Sequence, residues 1–147
     1  MQDSIGALLA KRAGRSPDLE AIVDLAEGQR FSYREVNARA NAMADAFRSR
    51  GIKKGDRVSL LMLNSIEFVD SFYGLAKIGA VIVPLNWRLV ADELDFILQD
   101  SGVKGLIYDT EFSEVVADLE SRVEGPDVSL WVEVGPEDKK QTFAINK

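Results

Sequence analysis

The 147-residue sequence has no cysteine and no histidine. Without cysteine there is no disulfide framework, thiolate nucleophile, zinc ribbon or iron–sulfur cluster, and the composition fits a reducing compartment. Without histidine there is no Ser-His-Asp triad, His-rich metal site or imidazole acid–base pair, so carboxylates, lysine, tyrosine and serine are the catalysts left. Long apolar runs are also missing. The longest, Ile78 to Leu85, falls far short of the roughly 20 residues that a spanning helix needs. The opening MQDSIGALLAKRAGRS lacks the basic-then-apolar layout of a signal peptide. A cytoplasmic chain with no transmembrane segment is expected. Nor is there a basic stripe. Lys and Arg number 18 against 24 Asp and Glu, a net charge of −6, which disfavours nucleic acid, anionic membrane surfaces and other acidic partners.

What is present suits a folded chain. Hydrophobic residues make up 46% and charged residues 29%, enough apolar material to bury a core, and the length leaves room for one domain. Ile5, Leu8, Leu9 and Ala13 recur at helical spacing until Ser16-Pro17, where the residue before proline is pushed out of the α region. Ala21-Ile22-Val23 and Arg30-Phe31-Ser32-Tyr33 flank Glu27-Gly28-Gln29 and predict a small hairpin. Ser32-x-x-Glu35 is a capping-box pattern, followed by Val36, Ala40, Met43 and Phe47 on one helical face and by Gly51 as the stop.

From Gly55 onward strands and helices alternate. Arg57 to Met62 reads as a buried strand, and Asn64-x-x-Glu67 starts a helix through Phe68, Phe72, Leu75 and Ala76. Ala80 to Val83, Gly105 to Tyr108 and Val128 to Val134 read as further strands. Between them lie a helix over Asp92 to Ser101 and another, capped by Thr110, that carries Val115, Val116 and Leu119. That order predicts an α/β fold with a largely parallel sheet and helices on both faces. The polar tail at 135–147 has no period and is expected to be poorly ordered.

Several patterns have competing readings. Gly74 and Gly79 match the first half of a phosphate-loop motif, yet Ala80-Val81 follows them and the segment runs from a helix end into a strand, the reverse of what a phosphate cradle needs. Helix termination and close packing are the better account. Asp92, Glu93 and Asp95 are dense enough to suggest a divalent cation, but acidic residues in a first helical turn offset the helix dipole, and neighbouring positions are not expected to converge on one ion. Tyr33, Phe68, Phe72, Tyr73 and Phe96 have amphipathic spacing and read as core. Asn86-Trp87-Arg88 differs, because it follows directly on a strand ending in Val83-Pro84, and α/β proteins gather ligand contacts at the carboxyl ends of strands. Asn86 reads there as a turn former and Trp87 as a surface or interdomain contact.

Four stretches taken together resemble the start of the adenylate-forming superfamily of acyl-CoA synthetases, luciferases and peptide-synthetase adenylation domains. They are Phe31 to Val36, Gly51 to Val58, Leu63 to Phe68, and Tyr73 to Leu89. The resemblance covers residues 1–134, as an N-terminal subdomain of the acyl-CoA synthetase fold, and Pro84-Leu85-Asn86-x-Arg88-Leu89 looks closest to medium- and long-chain or aryl acyl-CoA synthetases. It implies a complete enzyme that uses ATP, Mg and CoA to turn a fatty or aryl acid into acyl-CoA, AMP and pyrophosphate. The family's phosphate loop, adenine motif and C-terminal lysine have no counterpart in these 147 residues, so no catalytic residue and no metal ligand is expected here. In some members of the resembling family the arginine matching Arg88 lies near the phosphates of CoA, a role suited to an always-charged guanidinium; the competing reading of Arg88 is a solvated loop residue. The expected partner is the remainder of a synthetase, or a second copy through a sheet edge or the hairpin near Gly28. The alternative is a stand-alone interaction or oligomerisation module that keeps the fold without the chemistry.

Overall fold

The computed structural model describes residues 4–135. The tail expected to be poorly ordered lies, beyond Gly135, outside the described residues. Within the leading subdomain read from the sequence, two compact units are formed by an interleaved chain. One comprises residues 4–55 and Phe68–Val81, the other Asp56–Glu67 and residues 82–135.

The first unit begins with α1 (Ile5–Arg15), whose Ser4 side chain accepts from Ala7 N–H at 3.2 Å. Gly6, Leu9 and Ala13 are its buried positions, whereas Ile5 and Leu8, read as part of the apolar face, are each 53% exposed. The reason is a close backbone approach. A Cβ on Gly6 would lie 2.7 Å from Lys77 Cα, so the helix turns its glycine rather than its larger side chains to that contact. Strands β1 (Glu20–Asp24) and β2 (Gln29–Ser32) form the expected antiparallel hairpin, with the register shifting between Glu20 and Ile22. Asp24 organises the turn by accepting from Ala26 and Glu27 N–H at 3.0 and 3.1 Å.

Helix α2 (Tyr33–Ser49) starts on the predicted box. Ser32 Oγ accepts from Glu35 N–H at 3.3 Å, and the Glu35 carboxylate accepts from Ser32 N–H at 2.7 Å. Its buried stripe is Val36, Ala40, Ala44 and Phe47, with Ala44 taking the place expected for Met43. Met43 instead lies against Gly74 in α3 (Ile66–Ile78), where an added Cβ would come to 3.0 Å from the Met43 side chain. Leu9, Val36 and Ala40 form a core onto which Ile22, Phe31, Tyr33, Val69 and Tyr73 pack. A bidentate pair, Arg39 with Asp70, joins α2 to α3 at 2.7 Å, with the two side chains only 19% and 5% exposed.

The second unit is a four-stranded parallel sheet in the order β4-β3-β5-β6, comprising β3 (Arg57–Leu61), β4 (Val81–Pro84), β5 (Gly105–Asp109) and β6 (Leu130–Val134). Val58 pairs with Gly105 and Leu61 with Tyr108; Gly105 in turn pairs with Leu130 and Asp109 with Val134. Val58, Leu60, Ile107 and Val132 are buried on one face, and Leu61, Leu106, Tyr108 and Trp131 on the other. Burial on both faces is why these strands read as continuous apolar runs. Helices α4 (Ala91–Ser101) and α5 (Ser113–Ser121) supply Leu94, Leu98, Val116 and Leu119 to the second of these cores.

Three local expectations change here. Phe96 on α4 is 70% exposed and is not core. Thr110 opens a 3-10 turn, Thr110–Phe112, and α5 begins only at Ser113, whose hydroxyl donates to Thr110 C=O at 2.6 Å. Asp92 and Asp95 do converge on a cation, but it is a guanidinium. Arg122 reaches Asp92, Asp95 and Asp118 at 2.9, 3.2 and 2.9 Å. Hydrogen bonds to Asp118 first, then Asp92, push its pKa up. Glu93 serves the helix start, accepting from Val90 N–H at 3.1 Å.

Candidate functional site

The carboxyl ends of the parallel strands carry the chemistry-bearing groups. At the end of β4, Leu85 N–H donates to Leu60 C=O at 2.9 Å and the Leu85 side chain is buried, which fixes the chain as it leaves the sheet. Asn86 then turns it: its side-chain oxygen accepts from Arg88 N–H at 3.0 Å and its carbonyl from Leu89 N–H at 3.1 Å. Such an Asx turn is the job that the sequence assigned to Asn86. Trp87 stays 43% exposed, and the Arg88 guanidinium lies over its ring, 4.4 Å from the centroid. The ring fixes the guanidinium by a cation–π contact and occupies none of its N–H donors. Among the described residues no carboxylate pairs with Arg88.

The topology adds a place that the sequence did not. The connection after β3 leads outward to β4, while that after β5 leads the other way to β6. Their carboxyl ends therefore flank a topological switch point, where open α/β sheets bind ligands. Leu63 N–H donates to Asp109 Oδ2 across that point at 2.7 Å. Burial raises the Asp109 carboxyl to about 6, helped by Glu67 and Glu111 and opposed by the Leu63 hydrogen bond. Asp109 escaped the sequence reading because an Asp after an apolar strand is an ordinary strand terminator. Its position one residue past Tyr108 was the available signal.

Gly74 and Gly79 are no phosphate cradle: Gly74 packs on α2, and Gly79 closes α3 with φ +83. Among the described residues no group of three or more His, Cys, Asp or Glu side chains is arranged to hold a metal ion. None of the described helices is long and apolar enough to cross a membrane.

A model of the family described as AMP-binding enzyme matches residues 9–147. The chain belongs to that family. A long-chain-fatty-acid–CoA ligase of Mycobacterium tuberculosis, FadD13, is 46% identical to this chain over 130 residues, 88% of the chain and 26% of the relative. A fatty acid–[acyl-carrier-protein] ligase of Streptomyces coeruleorubidus, ScoC, is 41% identical over 92 residues, 63% of the chain and 18% of the relative. Among solved structures, the inhibitor-bound N-terminal domain of FACL13 from Mycobacterium tuberculosis superposes with a TM-score of 0.86 at 42% identity, covering 97% of the chain and 36% of that structure. The chain thus spans about a quarter of the length of FadD13 and matches the N-terminal domain of a fatty acyl-CoA ligase in fold.

Proposed function

We propose that these residues serve as the leading subdomain of an ATP-dependent fatty-acid–CoA ligase in the cytoplasm. The remainder of the synthetase is the partner that completes the active site. In the complete enzyme a carboxylate attacks ATP to give an acyl-adenylate and pyrophosphate, and CoA then displaces AMP. The observation that carries this reading is the 46% identity to FadD13 sustained over 88% of the chain. Within it we assign Arg88 to the phosphates of CoA. The support is physical: a guanidinium held on a tryptophan face, on a turn fixed by Asn86, at a strand's carboxyl end and with no carboxylate partner among the described residues.

The test replaces the corresponding N-terminal segment of FadD13 with this chain. The chimera is expected to release pyrophosphate in response to a long-chain fatty acid and to form acyl-CoA. A soluble, folded chimera without fatty-acid-dependent pyrophosphate release refutes the reading. In the active chimera, Arg88→Ala should weaken thioester formation by about 1.5–3 kcal/mol, the range for a charge-assisted contact, and leave adenylation intact. Unchanged apparent CoA affinity removes Arg88 from this role.

A further inference from the structure

The net charge of −6 is shared unevenly along the fold. Among the described residues the first unit carries eleven Lys and Arg against seven Asp and Glu, whereas the second carries four against fourteen. The positive excess that the whole-chain sum conceals belongs to one unit. Within that unit a groove of about 460 Å³ opens between α1, α2 and the last turn of α3, a volume in the range of small-molecule sites. Gly6, Ala7 and Ala10 of α1 and Ala44 of α2 line it, so its walls are slight. The charged residues of the lining are Asp45, Arg48 and Lys77. Asp45 accepts from Arg48 Nη1 at 3.1 Å, an exposed pair three residues apart on one helix, the kind that is worth little in water. Lys77 is placed differently. Its Cα lies under Gly6, its carbonyl is 3.5 Å from Arg48 Nη2, and its ammonium donates to Asn37 Oδ1 at 2.8 Å. Asn37 is a neutral acceptor, and among the described residues no carboxylate pairs with this ammonium. A part-buried cation therefore stands beside a second cation with no counter-ion, at the wall of an open groove. Burial first and the Arg48 charge second hold the Lys77 pKa below the ordinary lysine value, and an anion in the groove would relieve both.

We propose that the groove between α1, α2 and the end of α3 binds the phosphate group of a small phosphorylated molecule, with the Lys77 ammonium and the Arg48 guanidinium on the phosphate oxygens. A tetrahedral phosphate presents oxygens in several directions, so a point charge from α3 and a planar fork from α2 can each meet one, whereas a planar carboxylate is matched by a guanidinium alone. The glycine and alanine walls leave room for the rest of the molecule. This site belongs to the first unit and Arg88 to the second, so it goes beyond the ligase reading and does not rest on it.

Titration of the 147-residue chain with inorganic phosphate, followed by NMR, tests the site. The amides of Gly6, Ala7 and Ala10 and the Lys77 ammonium should shift saturably with millimolar half-saturation, and sodium chloride or sodium acetate at matched ionic strength should not reproduce the shifts. The Lys77 pKa should rise when phosphate is bound. Lys77→Met keeps the length of the side chain without its charge and should weaken phosphate binding by about tenfold or more, the loss of one charge-assisted contact. Arg48→Gln should weaken it by a similar factor, and an unmoved Leu106 amide reports an intact fold in each variant. Arg88→Ala should leave the titration unchanged, which keeps this outcome separate from the assignment of Arg88 to CoA. Absence of saturable shifts at these amides, an equal response to chloride or acetate, or a folded Lys77→Met variant that binds phosphate as well as the parent chain overturns the site.

Discussion

Each of the two units is stabilised internally by its own kind of interaction. In the first, arginines do structural work beside a core of modest side chains. Arg39 forks onto Asp70 and lies 5.3 Å from the Phe31 centroid, and Arg12 lies 4.9 Å from that of Tyr33. In the second, apolar side chains cover both faces of a parallel sheet, and the ion pairs sit at the amino ends of its two central strands and between helices. Apolar burial is non-directional and is lost in proportion to the area removed. A buried ion pair acts as a pair, because removing one member strands the other charge away from water.

That contrast can be broken at its strongest point. Asp70→Ala leaves Arg39 with its main carboxylate gone and should destabilise the first unit by about 3–5 kcal/mol, read by denaturant unfolding. Replacing both members, Arg39→Met with Asp70→Leu, should recover most of that loss. A single variant that costs no more than a surface substitution would mean that the first unit is as purely apolar in its energetics as the second.

A smaller effect tests how local the first unit's coding is. Ser32→Ala removes the side-chain acceptor at the start of α2 and should cost about 1 kcal/mol. Thermal unfolding checks it, and Ser32→Gly should recover part of the loss, because glycine is tolerated at that position.

The smallest expected change has the opposite sign. Ser59 in β3 and Ser71 in α3 are fully buried, one in each unit, and neither hydroxyl has a hydrogen-bond partner. Ser59→Ala should stabilise the chain by up to about 1 kcal/mol, because an unpaired hydroxyl is exchanged for a methyl group. A loss of stability in the same unfolding assay would show that the hydroxyl is satisfied in solution.

Legibility followed the range of the interaction. The α2 start was plain in Ser32-x-x-Glu35 because a capping box is complete within four residues. The apolar strands were plain because double-sided burial writes a continuous run. The turn at Asn86 and the open position of Arg88 could be read for the same reason, since both follow from two or three adjacent residues. Phe96 misled because helical spacing names a face without saying whether anything covers it. Asp92 and Asp95 misled because the group that gathers them, Arg122, comes from a different helix end.

The sequence by itself determined the element order, the α/β class, the family resemblance and the chemical poverty of a chain without cysteine or histidine. Each of these depends on residue identity or near-neighbour spacing, where the energetics are set by a few dihedral angles and one or two hydrogen bonds. Only the tertiary structure decided that β5 lies beside β3, and therefore that the chain reverses its direction of travel across the sheet between them. The meeting of Leu63 with Asp109 and the convergence of three carboxylates on Arg122 also belong to that level. Strand order is fixed by how whole faces bury against one another, a property of the assembled sheet that no local window of residues contains.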